Sequence, residues 1–190
     1  MKKQQAGEAH ETGKVSSRRV YTGRVISLDV DEVRFPNGSI GELEMIRHSG
    51  ASAVVPLLDA TKPDPEVVLI RQYRYAANGY LYEIPAGRLN PDESPEECAG
   101  RELREETGYS AGRLRQLTTI YTTPGFTDEQ IHLFVAEDLT NGVATPEADE
   151  FMELHPILLS RAIAMVHSGE IVDAKTAIAL LLAHASHSSE

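Results

Sequence analysis

Three glutamates, Glu102, Glu105 and Glu106, crowd the run Arg101-Glu102-Leu103-Arg104-Glu105-Glu106-Thr107-Gly108. On a helix, at about 100° per residue, Glu102 and Glu106 fall about 40° apart on one face, with Glu105 beside them. Like charges four residues apart repel, at roughly 0.2–0.5 kcal/mol per pair. A divalent cation between them reverses that sign. Carboxylate oxygens are favoured ligands of Mg²⁺, an ion that keeps waters and takes up phosphate oxygens as well. A bare glutamate cluster is more often a solvated helix face, so the surroundings of this one matter.

The helix that carries these residues is punctuated at both ends. Ser94 and Glu97 form an S-x-x-E capping box, Pro95 takes the first helical position, and Gly108 lies where a C-terminal cap belongs. Ala99 and Leu103 fall on the adjoining arc, facing the core. A loop from Gly87 to Glu93 leads in. Before it, Ser52–Leu58, Glu66–Arg74 and Leu81–Pro85 have the apolar, β-branched character of strands, with a Pro- and Asp-rich loop over 59–65. After it come strands over Leu114–Thr122 and Gln130–Glu137, then a loop holding Pro146, Glu147, Asp149 and Glu150. Two helices, Ser160–His167 and Asp173–Ala185, flank Gly169. N-terminal to all of this, Arg19–Arg47 reads as a small antiparallel sheet broken at Phe35-Pro36-Asn37-Gly38, where Asn-Gly favours a hairpin. The order predicts a mixed α/β chain: a disordered tail over 1–17, the N-terminal β-sheet over 18–50, and the main domain over 51–186.

Composition narrows the function class. The chain has 190 residues, 41% hydrophobic, enough for a real core. A net charge of −11 argues against a partner such as nucleic acid, whose phosphates call for basic stripes. It leaves phosphate chemistry open through cations held by acids. One cysteine, Cys98, permits no internal disulfide, which fits a reducing, cytoplasmic setting. As a free thiol it reads as a small buried helix residue before a nucleophile. No apolar run has the length of a signal h-region or a membrane span.

The spacing from Gly87 to Tyr109 resembles the Nudix box, G-x5-E-x7-R-E-U-x-E-E-x-G-U. Gly87, Glu93, Arg101, Glu102, Leu103, Glu105, Glu106 and Gly108 match, and Tyr109 stands where an aliphatic residue is usual. The resemblance implies a Nudix α/β/α sandwich with a mixed sheet. It also implies Mg²⁺-dependent hydrolysis of a nucleoside diphosphate-linked small molecule, with Mn²⁺ as the other candidate metal. It makes Glu102 and Glu106 metal ligands, Glu105 a further ligand or close catalytic neighbour, and the Ala86 carbonyl a ligand before the box. Glu93 and Arg101 become the pair that ties loop to helix. Water is the nucleophile, and metals spread the charge that would otherwise repel it.

Beyond the box the chain is similar to the ADP-ribose pyrophosphatase subgroup, from about Val20 to Ala183. Pro124, in Thr123-Pro124-Gly125-Phe126-Thr127, stands 16 residues past Gly108, an offset typical of that subgroup. The segments Val20–Val25, Pro36–Gly38 and Arg47–Ala51 are similar to its small β-domain, exchanged between the two subunits of a homodimer. Gly169–Thr176 is similar to its terminal helix. Arg74 matches a substrate-contacting arginine, suited to a planar grip on phosphate, with Arg71 second; Tyr73 and Tyr75 read first as half-buried core tyrosines, and second as rings for a base to stack on. The stretch Glu147–Glu153 resembles one that brings a late glutamate over the metals as base, Glu150 first and Glu147 second. The implied reaction takes ADP-ribose to AMP and ribose 5-phosphate. GDP-mannose or a dinucleotide is the alternative substrate, and a non-catalytic nucleotide-binding module is the other class.

Overall fold

A short strand pattern before Arg47 and a nearly continuous apolar run over 51–58 belong to two separate sheets. The computed structural model of the chain describes residues 11–145 and 152–187. These fall into two units: 11–48 with 121–129, and 49–120 with 130–145 and 152–187.

The first unit is a three-stranded antiparallel sheet of β1 (Gly13–Thr22), β2 (Ser27–Arg34) and β3 (Ile40–Arg47), in that spatial order. The β2–β3 turn closes with Gly38 N–H donating to the Phe35 carbonyl at 2.8 Å. Gly38 takes the positive φ, 83°, that the Asn-Gly pair promised. β1 starts at Gly13, inside the stretch expected to be a tail through residue 17. Lys14, Ser16 and Ser17 are held by backbone pairing to β2, and every residue of β1 is exposed, so no burial pattern marks it. Two buried carboxylates, Asp29 and Asp31, are neutralised by Arg19 and Arg47. Arg47 also reaches Asp128 at 3.1 Å, and Ile46 N–H donates to the Phe126 carbonyl at 2.7 Å, so the 121–129 segment is fastened to β3 within this unit.

The second unit is built on a seven-stranded sheet. Its strands are β4 (Ala51–Leu58), β5 (Glu66–Arg74), β6 (Gly79–Glu83), β7 (Ala86–Arg88), β8 (Ser110–Tyr121), β9 (Gln130–Thr140) and β10 (Met152–Leu158). The order is β10-β5-β4-β9-β8, with β6 against β5 and β7 against β4. β4 and β9 run parallel while β4–β5, β5–β10, β5–β6 and β4–β7 are antiparallel, so the sheet is mixed. The helices are α1 (Pro95–Thr107), α2 (Leu159–Ser168) and α3 (Ala174–His187). Period-two alternation along β4 divides the core. Ala53, Val55 and Leu57 pack with Leu69 and Leu133 against Ala162 and Met165 of α2 and Leu180 of α3. Val54 turns the other way, with Phe134, onto Ala99 and Leu103 of α1. The sheet therefore lies between α1 and the α2–α3 pair, the layering the resemblance implied. Tyr109 packs into this second cluster, so the aromatic fills its apolar slot.

Three local expectations need correction. Gly87 and Arg88, the start of the expected loop, form β7 with Ala86, because the chain leaving β6 pairs back onto β4. The strand expected over 81–85 begins and ends two residues earlier. β10 was not expected at all: it is an edge strand with no buried residue, and Pro156 breaks its pattern while pairing with Val68. Glu147 and Glu150 lie outside the described residues. No helix among the described residues is long and apolar enough to cross a membrane.

Candidate active site

α1 starts where its cap signals place it. Glu97 N–H donates to Ser94 Oγ at 3.3 Å, and Ser94 N–H donates to the Glu97 carboxylate at 2.8 Å. At the other end Gly108 adopts φ 78° and returns its N–H to the Arg104 carbonyl at 2.9 Å. The helix so fixed lays Glu102 and Glu106 over β7, where they are only 8% and 3% exposed. Glu106 accepts from Ala86 N–H at 3.1 Å. Glu102 occupies the space where any residue but glycine at 87 would put its side chain: a Cβ there would stand 1.9 Å from Glu102 Oε1.

Arg101 holds the acidic groups together. Its Nε and Nη2 grip Glu93 at 2.7 and 2.9 Å, and its Nη1 reaches Glu102 at 2.6 Å and Glu105 at 2.9 Å. Nη2 also donates to the Arg88 carbonyl at 3.0 Å. One guanidinium thus joins the entry loop, β7 and two turns of the helix. Its hydrogen bonds hold the Glu93 carboxyl down at about 2, and Glu93 in return raises Arg101 further. Cys98 is fully buried against the Gly87 and Arg88 carbonyls, and burial pushes its thiol up to about 11. A thiol so placed is a packing residue, not a nucleophile.

The structure sets Glu106 on Ala86 N–H, Glu102 against Gly87, and Glu105 on the same Arg101 Nη1 that holds Glu102. Arg74, at the end of β5, forks onto Glu83, which ends β6. Arg71 is separate. Period two turns it to the other face of β5, where it lies 4.3 Å over the Tyr80 ring and pairs with Glu153 at 3.5 Å. Tyr73 meets Tyr80 edge-on at 5.5 Å. Pro124 sits in the 121–129 turn of the other unit, where Phe126 N–H donates to the Thr123 carbonyl at 3.2 Å. Sequence reasoning missed Glu83 and Lys175, which form an ion pair. The signal was a lone acid between Leu81 and Ile84 in an apolar strand, because a charge buried there needs a partner.

The donor chemistry suits a hard divalent cation: three carboxylates on one helix, two of them buried, with a glycine cradle under one. Among the described residues no three acidic, His or Cys side chains yet converge at ligand spacing. Arg101 and the Ala86 N–H draw the carboxylates instead.

Comparison with known proteins now bears on these groups. The NUDIX domain model matches residues 47–175. The chain belongs to the Nudix family. It is 40% identical over 168 residues to the "ADP-ribose pyrophosphatase" of Bacillus subtilis (strain 168), covering 87% of this chain and 89% of that one. It is 38% identical to the "Methanol dehydrogenase activator" of Bacillus methanolicus, over 92% and 93% of the two chains. It is 37% identical to a "GDP-mannose pyrophosphatase" of Salmonella arizonae, again over 92% and 93%. A solved "ADP compounds hydrolase" superposes with a TM-score of 0.79 over 95% of this chain and 96% of the other, at 22% identity, which speaks to the fold. The Nudix box is therefore the Gly87–Tyr109 segment, with Gly87 as cradle and Arg101 as clamp. Nudix enzymes work with a divalent metal ion.

Proposed function

We propose that this Nudix enzyme hydrolyses the pyrophosphate of ADP-ribose, water adding to one phosphorus, to give AMP and ribose 5-phosphate. The observation that carries the reading is an intact box, with Glu102 buried against Gly87 and Glu106 buried on Ala86 N–H, in a chain matching an ADP-ribose pyrophosphatase along almost its whole length. Mg²⁺ is the proposed ion, held by Glu102, Glu105, Glu106 and the Ala86 carbonyl. When bound, it neutralises diphosphate charge and lowers the pKa of a coordinated water. Arg74 offers a phosphate oxygen a planar donor. Arg71, already engaged by Tyr80 and Glu153, is the weaker contact. Pro124 shapes the substrate turn, and Glu150, then Glu147, is the proposed base. A homodimer formed through the N-terminal sheet and a cytoplasmic setting complete the proposal.

The Salmonella match favours one second reading, a GDP-mannose pyrophosphatase. Purified protein with Mg²⁺ and a panel of ADP-ribose, GDP-mannose and dinucleotides distinguishes them by kcat/KM. ADP-ribose is expected to lead, releasing AMP. A higher kcat/KM for GDP-mannose moves the assignment, and turnover unchanged by excess chelator sinks the metal-dependent mechanism.

A further inference from the structure

Behind the box lies a charge cluster that the metal site does not use. Glu83 ends β6 with its side chain 2% exposed. Arg74 takes both of its oxygens, Nε to Oε1 at 2.7 Å and Nη2 to Oε2 at 2.9 Å. From α3, Lys175 Nζ donates to Glu83 and, at 3.0 Å, to Asp173. Asp173 also accepts from Thr176 N–H at 3.0 Å, and Thr176 Oγ1 accepts from Ile84 N–H at 3.0 Å. The first turn of α3 is thereby bonded to the end of β6. Two cations and two anions cancel, so Glu83 is a fixed anchor and not a proton carrier.

The fork leaves one nitrogen over. Arg74 Nη1 has no protein partner among the described residues, and the side chain is 39% exposed. An unanchored guanidinium on an arginine stem samples many rotamers, and a ligand that used it would have to order it. Anchored through Nε and Nη2 on Glu83, it keeps Nη1 for a further acceptor. Less freedom is then lost when a ligand binds.

We propose that Glu83 is a positioning residue: it fixes Arg74 so that Nη1 donates to a phosphate oxygen of the substrate, and Lys175 fixes Glu83 in turn. This rests on the reading of Arg74 as a phosphate contact. It is tested on the full chain by following the Arg74 Nε–H resonance during titration with inorganic pyrophosphate. In the wild type the signal is expected to exchange slowly with solvent and to shift on titration. Glu83→Gln should abolish the slow exchange and weaken pyrophosphate affinity about 10- to 100-fold, the worth of one hydrogen bond to a charged group. With Mg²⁺ and ADP-ribose the same variant should raise KM more than it lowers kcat. In an Arg74→Met background, Glu83→Gln should add nothing further. Should Glu83→Gln not fold, Lys175→Met is expected to speed the same exchange and weaken pyrophosphate binding several-fold. Unchanged affinity in the variant that folds, or additive losses in the double variant, overturns the proposal. A wild type that leaves ADP-ribose intact defeats the proposed activity instead, while the Arg74 resonance still reports whether pyrophosphate reaches the clamp.

Discussion

A methyl group at position 87 would stand 1.9 Å from Oε1 of Glu102, far inside contact distance. Gly87 also bears on the exit of β7 and on Cys98, but its meaning is set by that carboxylate. Gly87→Ala should push Glu102 out of its seat at an overpacking cost of about 1–3 kcal/mol. Turnover should fall far more than stability does, and thermal melting beside kcat/KM separates the two; equal, small losses in both would show that the cradle has no bearing on chemistry. Glu106 tests the site from the other side. It is buried and bonded to Ala86 N–H. Glu106→Gln keeps the shape and can still accept that hydrogen bond, but it removes the negative charge. Turnover is expected to drop about 100-fold or more, beyond the roughly 10–100-fold typical when a group supporting a metal ligand is lost. A folded Glu106→Gln protein with wild-type turnover removes Glu106 from the mechanism.

At the scale of elements, one guanidinium ties the entry loop to α1. Glu93 sits at about 2 in the folded chain against an ordinary 4.5, chiefly through its hydrogen bonds from Arg101. A carboxyl lowered by folding stabilises the fold fully above its unfolded value. That contribution fades as pH falls from about 4.5 towards 2. The drop in denaturant midpoint between pH 6 and pH 3 should therefore be smaller in Glu93→Gln than in the wild type, and an identical drop would mean the clamp adds no pH-dependent stability. Arg101→Lys should not restore the clamp, since an ammonium cannot span Glu93, Glu102 and the Arg88 carbonyl as a planar fork does. The helix was legible in the sequence because Ser94, Glu97, Pro95 and Gly108 act through local spacing, whereas the Glu93–Arg101 clamp came from the resemblance to the Nudix box. The Glu83–Lys175 pair was not legible, because its partners lie 92 residues apart and meet only through the sheet. β10 escaped for a different reason: edge pairing with Gln72 through Glu66 asks nothing of side-chain pattern.

For the whole molecule, the N-terminal sheet poses the remaining question. Three strands are few to stand alone, and among the described residues of this unit there is no helix. Val15, Val20 and Tyr21 on β1 and Ile40 and Leu43 on β3 are exposed. Exposed apolar side chains on both faces of a short sheet mark an interface, and among the described residues the outer edge of β1 pairs with no strand. A second copy of the chain is the expected cover. Sedimentation at micromolar concentration should show twice the chain mass. Val20→Glu, which adds a charge where the side chain already meets solvent, should shift the mass towards the monomer while leaving the Glu93–Arg101 clamp in place. If the sheet also helps enclose the nucleotide of the opposing subunit, that variant should raise KM for ADP-ribose with little loss of kcat at saturation. A monomeric variant with wild-type KM would instead place every substrate contact within a single chain, and a monomeric wild type would remove the second copy as the cover for β1.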